Sequence, residues 1–299
     1  MFEQLGNVKI NLSYFTGENN YSDGPIEDEL LEIVQSKNEI NVLKHDHRWP
    51  VLYHLSPTRE NLLEWFEFNK DSSVLEIGAG CGALTGILCQ RARRVTCVEL
   101  SHKRSLINAT RNNYSNLEII VGNLNDISFH EKFDYITLIG VLEYAGKFTV
   151  GDRPYHDFLE KIRSLLKPGG TLILAIENRL GIKYWAGANE DHTNVIFDGI
   201  EGYPNDLGVK TFTKKELSDL MENTGFSKLQ FYYPFPDYKL PTQVFAEGHI
   251  PAKLQMPENA PNYDSERIVL FNEKLAIQNL VNGGMAEEFA NSFLVICEN

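Results

Sequence analysis

The segment Val74-Leu75-Glu76-Ile77-Gly78-Ala79-Gly80-Cys81-Gly82 constrains the fold of this chain more than any other. A short apolar run carries an acid and then breaks into three glycines at alternate positions. This is the pattern of a buried strand entering a turn whose backbone lies against a bound molecule. Glycine tolerates φ > 0 and has no side chain to hold a ligand away. Gly78-x-Gly80-x-x-Ala83 also fits the dinucleotide fingerprint in its G/A form. Three features argue for a different ligand. Glu76 sits inside the strand, two residues before Gly78, where a pyrophosphate has no use for a carboxylate but a free amino group does. No Lys-Ser/Thr follows the glycines, so the turn is not a phosphate-cradling P-loop. Residues 83–90 read as a helix, and Arg94 to Glu99 as a second strand ending in an acid suited to ribose hydroxyls. Glu99 lies 17 residues beyond Gly82, near the roughly 20 expected of such an acid.

Strand and helix patterns alternate from Ser73 to Ile176, which implies a parallel, doubly wound sheet. Leu117 to Gly122 is its third strand and Phe133 to Ile139 its fourth. Gly140-Val141-Leu142-Glu143-Tyr144 is the turn after the fourth strand. Leu165-Leu166-Lys167-Pro168-Gly169-Gly170 is the helix end and turn before a fifth, Thr171 to Ile176. Acid, glycines and these later motifs, in this order over about a hundred residues, resemble the class I S-adenosylmethionine (SAM) methyltransferases. The resemblance implies an α/β, Rossmann-like, doubly wound seven-stranded sheet. It implies SAM as cofactor and S-adenosylhomocysteine as product. The binding residues it implies are Glu76, Gly78, Ala79, Gly80 and Gly82 in the turn, Glu99 and Leu100 after the second strand, and Asn123 and Leu124 after the third. Gly140 and Val141 would lie beneath the methyl donor, and Tyr53 would come from the N-terminal cover. The family usually places an acid after the third strand, for the adenine amino group. Asn123 stands there in this chain and offers an amide oxygen instead.

Residues 1–70 are expected to form an N-terminal helical cover. Ile26 to Gln35 reads as an amphipathic helix, and Pro57 to Glu67 as another with Thr58 as N-cap. Residues 71–299 are then the SAM-binding core. After Ile176 the alternation stops. Thr213 to Asn223 returns as a helix with a Thr213/Glu216 capping box, Phe226 to Tyr233 as a sixth strand and Asn291 to Cys297 as the last. The last two strands of this fold normally form a hairpin, and a connection of more than fifty residues between them is far beyond ordinary loop length. Residues 178–210 and 234–290 are therefore read as substrate-side insertions.

Methyl transfer is an in-line displacement for which SAM is reactive enough. The protein supplies alignment and, for a weak nucleophile such as a sugar hydroxyl, a base or a metal. His192 is the first candidate, with Asp191 beside it to orient the imidazole; a surface histidine is the alternative. Glu143, just after the fourth strand, is the third catalytic candidate, with helix capping as its alternative. His54 and His156 are weaker candidates. Glu177 and Asn178 are placed to join Asp191 and His192 around an ion, but the spacing is not diagnostic and no metal is assigned. Tyr184, Trp185, Tyr203, Tyr232, Tyr233, Phe235 and Tyr238 gather around the insertions. They are either a sugar-stacking surface or a satellite core.

The formal net charge of −13 argues against nucleic acid and anionic lipid as partners, since both need a basic surface. No apolar run approaches a membrane span and no signal peptide is evident, so a cytoplasmic protein with no membrane insertion is expected. The four cysteines lie in apolar contexts and read as reduced, buried thiols. Segments outside the SAM motifs carry a narrower resemblance: Tyr53-His54-Leu55-Ser56-Pro57-Thr58-Arg59, Asn178-Arg179-Leu180-Gly181-Ile182-Lys183-Tyr184, Glu190-Asp191-His192-Thr193, Lys210-Thr211-Phe212-Thr213 and Tyr233-Pro234-Phe235-Pro236-Asp237-Tyr238-Lys239-Leu240-Pro241. They are similar to bacterial methyltransferase domains joined to glycosyltransferase or kinase domains in surface-polysaccharide synthesis. That likeness implies a sugar hydroxyl as acceptor and a glycosyltransferase domain in the same full-length chain. A chain ending two residues after its last strand fits a domain cut from a longer protein. The alternatives are a small-molecule O- or N-methyltransferase acting on a phenol, acid or amine, and a SAM-binding scaffold without turnover.

Overall fold

The computed structural model describes residues 1–17, 22–205, 207–261 and 266–299. Asp206 and residues 262–265, which belong to the two expected insertions, lie outside the described residues. The chain divides into two compact units, residues 1–138 with 165–170, and residues 139–164 with 171–299.

The first unit holds strands β1 (Phe2–Leu5), β2 (Val8–Tyr14), β3 (Ser73–Ile77), β4 (Arg94–Glu99), β5 (Leu117–Gly122) and β6 (Phe133–Ile139, of which all but the last residue belong here), in the order β1-β2-β5-β4-β3-β6. The pairings β2–β5, β5–β4, β4–β3 and β3–β6 are parallel. β3 is buried along its whole length. That is why it reads as a near-continuous apolar run rather than an alternating one: a parallel strand is covered on both faces. Helices Thr85–Arg91 and His102–Arg111 make the crossovers.

The first residues of the chain are strand, not helix. β1 and β2 form an antiparallel hairpin, and β2 then lies parallel to β5. Val8 and Ile10 are fully buried, the inward half of an alternation Val8-Lys9-Ile10-Asn11-Leu12. At the hairpin turn Gly6 has φ +59°, and the Asn7 amide donates to Asn113 Oδ1 at 2.6 Å. Ile26–Gln35 is the helix expected there. Pro57 to Glu67 is not a full helix: only Pro57–Leu62 turns, as a 3-10 segment, and its cap is Ser56 rather than Thr58, whose amide donates to the Ser56 hydroxyl. A partly buried ionic ring ties the helical part to the helix His102–Arg111. His54 Nε2 and Arg104 both meet Asp23, at 2.7 and 2.8 Å, while Arg104 Nε donates to Glu27 at 2.7 Å.

The second unit holds β7 (Leu166–Glu177, from Thr171 onward), β8 (Ser227–Phe235), β9 (Gln243–Ala246) and β10 (Ser292–Glu298), all antiparallel in the order β7-β10-β8-β9. The long insertion therefore leaves β8 and β10 paired, and adds β9 to the edge together with helices Glu273–Asn282 and Ala286–Phe289. Helix Lys214–Asn223 carries the expected Thr213/Glu216 capping box. The Rossmann-like α/β plan holds, but among the described residues ten strands are present rather than seven. The extra ones are β1, β2 and β9, all built from segments outside the alternating core.

Candidate active site

In the first unit the glycine turn leaves β3 under tight backbone control. The amides of Gly78 and Ala79 both donate to Val98 O, at 2.8 and 3.2 Å. Gly78, Gly80 and Gly82 have φ of +71°, +53° and +78°, where only glycine is unstrained. The three have different jobs. A Cβ on Gly82 would fall 2.5 Å from Asn112 Nδ2, so this glycine lets the helix His102–Arg111 close on the turn. Among the described residues, a Cβ on Gly80 would meet no atom within 4 Å, so the turn faces open space there.

Two buried carboxylates flank the turn. Glu99 accepts the Gly80 amide on one oxygen at 2.8 Å and the Ser101 amide on the other at 2.9 Å. Each oxygen keeps a second lone pair, so both can still receive ribose hydroxyls. Glu76 accepts the Thr85 hydroxyl at 2.5 Å and the Cys97 thiol at 3.1 Å. Burial pushes its pKa up to about 7, leaving an acid that a bound ammonium would hold ionised. Asn123 accepts the Asn125 amide through its own side chain at 3.0 Å. Leu124 and Ala79 are buried, Leu100 is half-buried, and Tyr53 is half-buried under the Arg59 guanidinium, 4.4 Å from the ring centre. Open space at Gly80 and an acid at each neighbouring strand end fit SAM. Glu76 would hold its amino group and Glu99 its ribose, and the bound cofactor supplies an electrophilic methyl group. Gly140 and Val141 belong to the second unit. Gly140 has φ +67°, and a Cβ there would sit 2.7 Å from the Tyr238 hydroxyl.

The second unit gathers acids around one imidazole. Glu143 lies on a 3-10 turn (Leu142–Tyr144) after β6, Glu177 ends β7, and His192 sits in the loop beyond. His192 Nε2 is 3.5 Å from Glu143 and 3.8 Å from Glu177. The three side chains are at most 6% exposed. The partner that orients His192 is Glu190, not Asp191. Nδ1 lies 3.0 Å from Glu190 Oε1, and the other Glu190 oxygen accepts the amides of His192 and Thr193 at 2.7 Å each. Asp191 turns the other way, to Lys183 and Lys239 at 2.7 and 2.6 Å. Lys183 also holds Asp237 at 2.7 Å, and Lys239 reaches Glu177 Oε1 at 2.5 Å.

Burial opposes every charge in this cluster, and the partners decide the outcome. Lys183 and Lys239 keep Asp191 well below the usual carboxylate range despite its burial. Burial, with Glu177 beside it, lifts Glu143. Burial would depress His192, but Glu177, Glu143 and Glu190 together raise it well above the ordinary histidine value.

Of the sequence candidates, Glu143 and His192 come together, and Asp191 stands one ion pair away. Glu177 joins them, whereas the Asn178 side chain is spent on carbonyls 288 and 290. Glu190, Lys183 and Lys239 were not singled out. Glu190 had a local signal, since in an extended loop residues two apart share a side. His54 is engaged in the ionic ring above. His156 is half-buried on helix Pro154–Leu165 beside Asp157 and Glu160. Among the insertion aromatics, Tyr184, Tyr233, Phe235 and Tyr238 are almost wholly buried, while Trp185 remains 40% exposed. All four cysteines are buried and free.

A parallel sheet with a glycine turn after its first core strand, flanked by acids on two successive strand ends, defines a class I methyltransferase fold. Comparison with known proteins agrees: residues 75–174 match the family described as a methyltransferase domain. The chain carries a SAM-dependent methyltransferase domain. It is 27% identical over 136 residues to ribosomal RNA small subunit methyltransferase A of Mycoplasma capricolum, covering 44% of this chain and 49% of that protein. It is 26% identical over 110 residues to the malonyl-[acyl-carrier protein] O-methyltransferase of Priestia megaterium, covering 36% and 38%. The chain thus spans half or less of the length of these two relatives. A Haloferax volcanii methyltransferase, solved in complex with the Trm112 activator, shares the fold at a TM-score of 0.53 and 16% identity, over 90% of this chain and 96% of that structure's chain. Among the described residues no helix is long and apolar enough to cross a membrane.

Proposed function

We propose that the chain transfers the SAM methyl group to a hydroxyl, and that this hydroxyl belongs to a sugar of a surface glycan or its cytoplasmic precursor. The observation that carries the reading is the buried set Glu143, Glu177 and His192. An ionised acid, or an amine already in its neutral form, attacks a methyl sulfonium unaided, and a site for such acceptors has no need to bury three ionisable groups against one another. A hydroxyl must lose its proton as it attacks, so it needs a positioned acceptor for that proton. Glu143 is assigned to accept that proton, with His192, which its three acids keep protonated, as the group paired with it. Glu190 fixes the imidazole, and Asp191 holds the two lysines.

A cleft of about 950 Å³ in the second unit supports a sugar-sized acceptor. Its walls include Tyr155, Tyr203, Phe212, Arg179, Lys210 and Glu216, a mixture of aromatic faces and polar heads suited to a polyhydroxylated ring. The cleft is tied to the acid cluster. The Tyr203 hydroxyl donates to Glu190 at 3.2 Å, and the Lys210 amide donates to Glu143 O at 3.1 Å. The net charge of −13 disfavours nucleic acid as acceptor. A glycosyltransferase domain of the same full-length chain is the expected supplier of the acceptor.

The test is a mass-spectrometric search for molecules that gain CH₂ when the chain and SAM are added to a bacterial extract. A methyl ether on a glycan or a nucleotide sugar is the expected product. A methylated amine, carboxylate or RNA would overturn the reading, and no turnover with any fraction would favour the scaffold alternative.

A further inference from the structure

We propose that Glu143, Glu177 and His192 form a binding site for one divalent transition-metal cation. Glu190 is the outer carboxylate that sets the imidazole for it. Each of the three offers a ligand atom, and these atoms all lie within 4.8 Å of one another.

Four observations carry the assignment. First, Glu143 Oε2 and Glu177 Oε2 are buried and, among the described residues, accept no hydrogen bond. A buried carboxylate oxygen left without a donor is costly, and it is the usual mark of a missing partner. Second, the approach distances are long for close hydrogen bonds and leave room for an ion between the groups. Nε2 lies 3.5 Å from Glu143 Oε1 and 3.8 Å from Glu177 Oε2. Two ligand atoms each about 2.1 Å from a tetrahedrally coordinated ion are themselves roughly 3.4 Å apart. Third, the imidazole is dressed as a ligand. With Nδ1–H donating to Glu190 at 3.0 Å, an ion that displaces the Nε2 proton would find that nitrogen's lone pair facing the two acids. A carboxylate on the far nitrogen fixes the tautomer and makes the near nitrogen a better donor. Glu190 is itself held by two amides and the Tyr203 hydroxyl, so the outer layer is rigid. Fourth, the charges do not balance. Glu143, Glu177, Glu190, Asp191 and Asp237 face Lys183, Lys239 and His192. Even with the imidazole protonated, acids outnumber cations in a space largely closed to water.

Two carboxylates and one imidazole suit Mn²⁺, Fe²⁺ or Zn²⁺ better than Ca²⁺, which prefers six or more oxygens. Lys239 does not compete for the site, because it takes the other oxygen of Glu177. The use of such an ion, to lower the pKa of a coordinated hydroxyl, rests on the proposed reaction; its binding does not.

The experiment therefore uses no acceptor. The whole chain is stripped with chelator, checked by circular dichroism, and titrated with Mn²⁺, followed by electron paramagnetic resonance and thermal shift. One ion per chain, with a rise in melting temperature, is expected. His192→Ala and Glu143→Gln should each weaken binding at least tenfold while still responding to S-adenosylhomocysteine, which reports a folded first unit. His156→Ala, at the half-exposed His156/Asp157/Glu160 group, should leave the affinity unchanged. Absence of binding at millimolar Mn²⁺, or binding that survives His192→Ala but fails in His156→Ala, would overturn the site. Zn²⁺ competing for the same single site would support it. Because neither readout involves methyl transfer, a failed search for a methylated hydroxyl would leave this result standing, and the reverse also holds.

Discussion

The glycine turn of the first unit and the acid cluster of the second solve opposite problems. The turn works through backbone. Its amides are spent on Val98 and Glu99, its side chains are nearly absent, and its cost lies in positive φ, which glycine meets freely. The cluster works through side chains drawn from four stretches of chain, around 143, 177, 183–192 and 237–239, and its cost is the desolvation of charge. A turn can be read from nine consecutive letters. A cluster of buried charges exists only once distant segments have folded together.

The difference can be attacked at either region. The largest effect should come from Gly80→Val. A β-branched side chain at φ +53° is strained, and it would enter the open space assigned to SAM. Stabilisation by S-adenosylhomocysteine in a thermal shift should vanish; a variant stabilised like the parent would mean that the turn has been misread.

His192→Ala attacks the other region. Methyl transfer should fall by roughly 10²–10⁴, the ordinary worth of a positioned group that handles the acceptor proton, while calorimetry finds SAM affinity nearly unchanged. Glycan methylation in cells gives the first readout, and normal methylation in a strain carrying only this variant would remove His192 from the chemistry.

Glu99→Ala should weaken SAM at least about tenfold, with two charge-assisted hydrogen bonds of about 1.5–3 kcal/mol each at stake. It should also lower the melting temperature, because Glu99 braces the amides of Gly80 and Ser101. Unchanged affinity by calorimetry would sink its role at the ribose. The smallest effect is expected of Gly82→Ala. Its Cβ crowds Asn112, so stability should drop by about 1–3 kcal/mol while the chain still binds cofactor. Equal loss of cofactor response in Gly82→Ala and Gly80→Val would erase the division of labour between the two glycines.

Much of the first unit was legible because its signals are local. β4, β5 and β6 begin and end where the apolar runs do, and the Thr213/Glu216 cap fixed a helix start in the second unit. The missed strands had reasons. β1 and β2 are short and polar on one side, and only the alternation from Val8 to Leu12 marked them. β9 is half-buried throughout and owes its place to pairing with β8. At the site, His192 and Glu143 were visible as ionisable residues just beyond strand ends. Asp191 is adjacent to His192 in sequence, but Glu190 is the residue adjacent to its imidazole in space. Lys183 and Lys239 carry no local signal, because only the folded chain surrounds them with acids.

Glu76 has a consequence that concerns protons rather than geometry. With a pKa near 7 when the turn is empty, the free protein holds a partial proton there at neutral pH. The sign follows from an acid whose folded pKa is raised. Stability from this group is full below the ordinary carboxylate pKa and declines as pH rises toward about 7 and beyond. An arriving ammonium pulls the pKa back down, so cofactor uptake expels that proton into solution. Affinity should climb with pH up to about 7 and then level off. Calorimetric heats measured near pH 6.5 should differ between phosphate and imidazole buffers by the difference in their ionisation enthalpies, scaled by the fraction of a proton released. Heats identical in both buffers would mean that the amino group of SAM is held elsewhere.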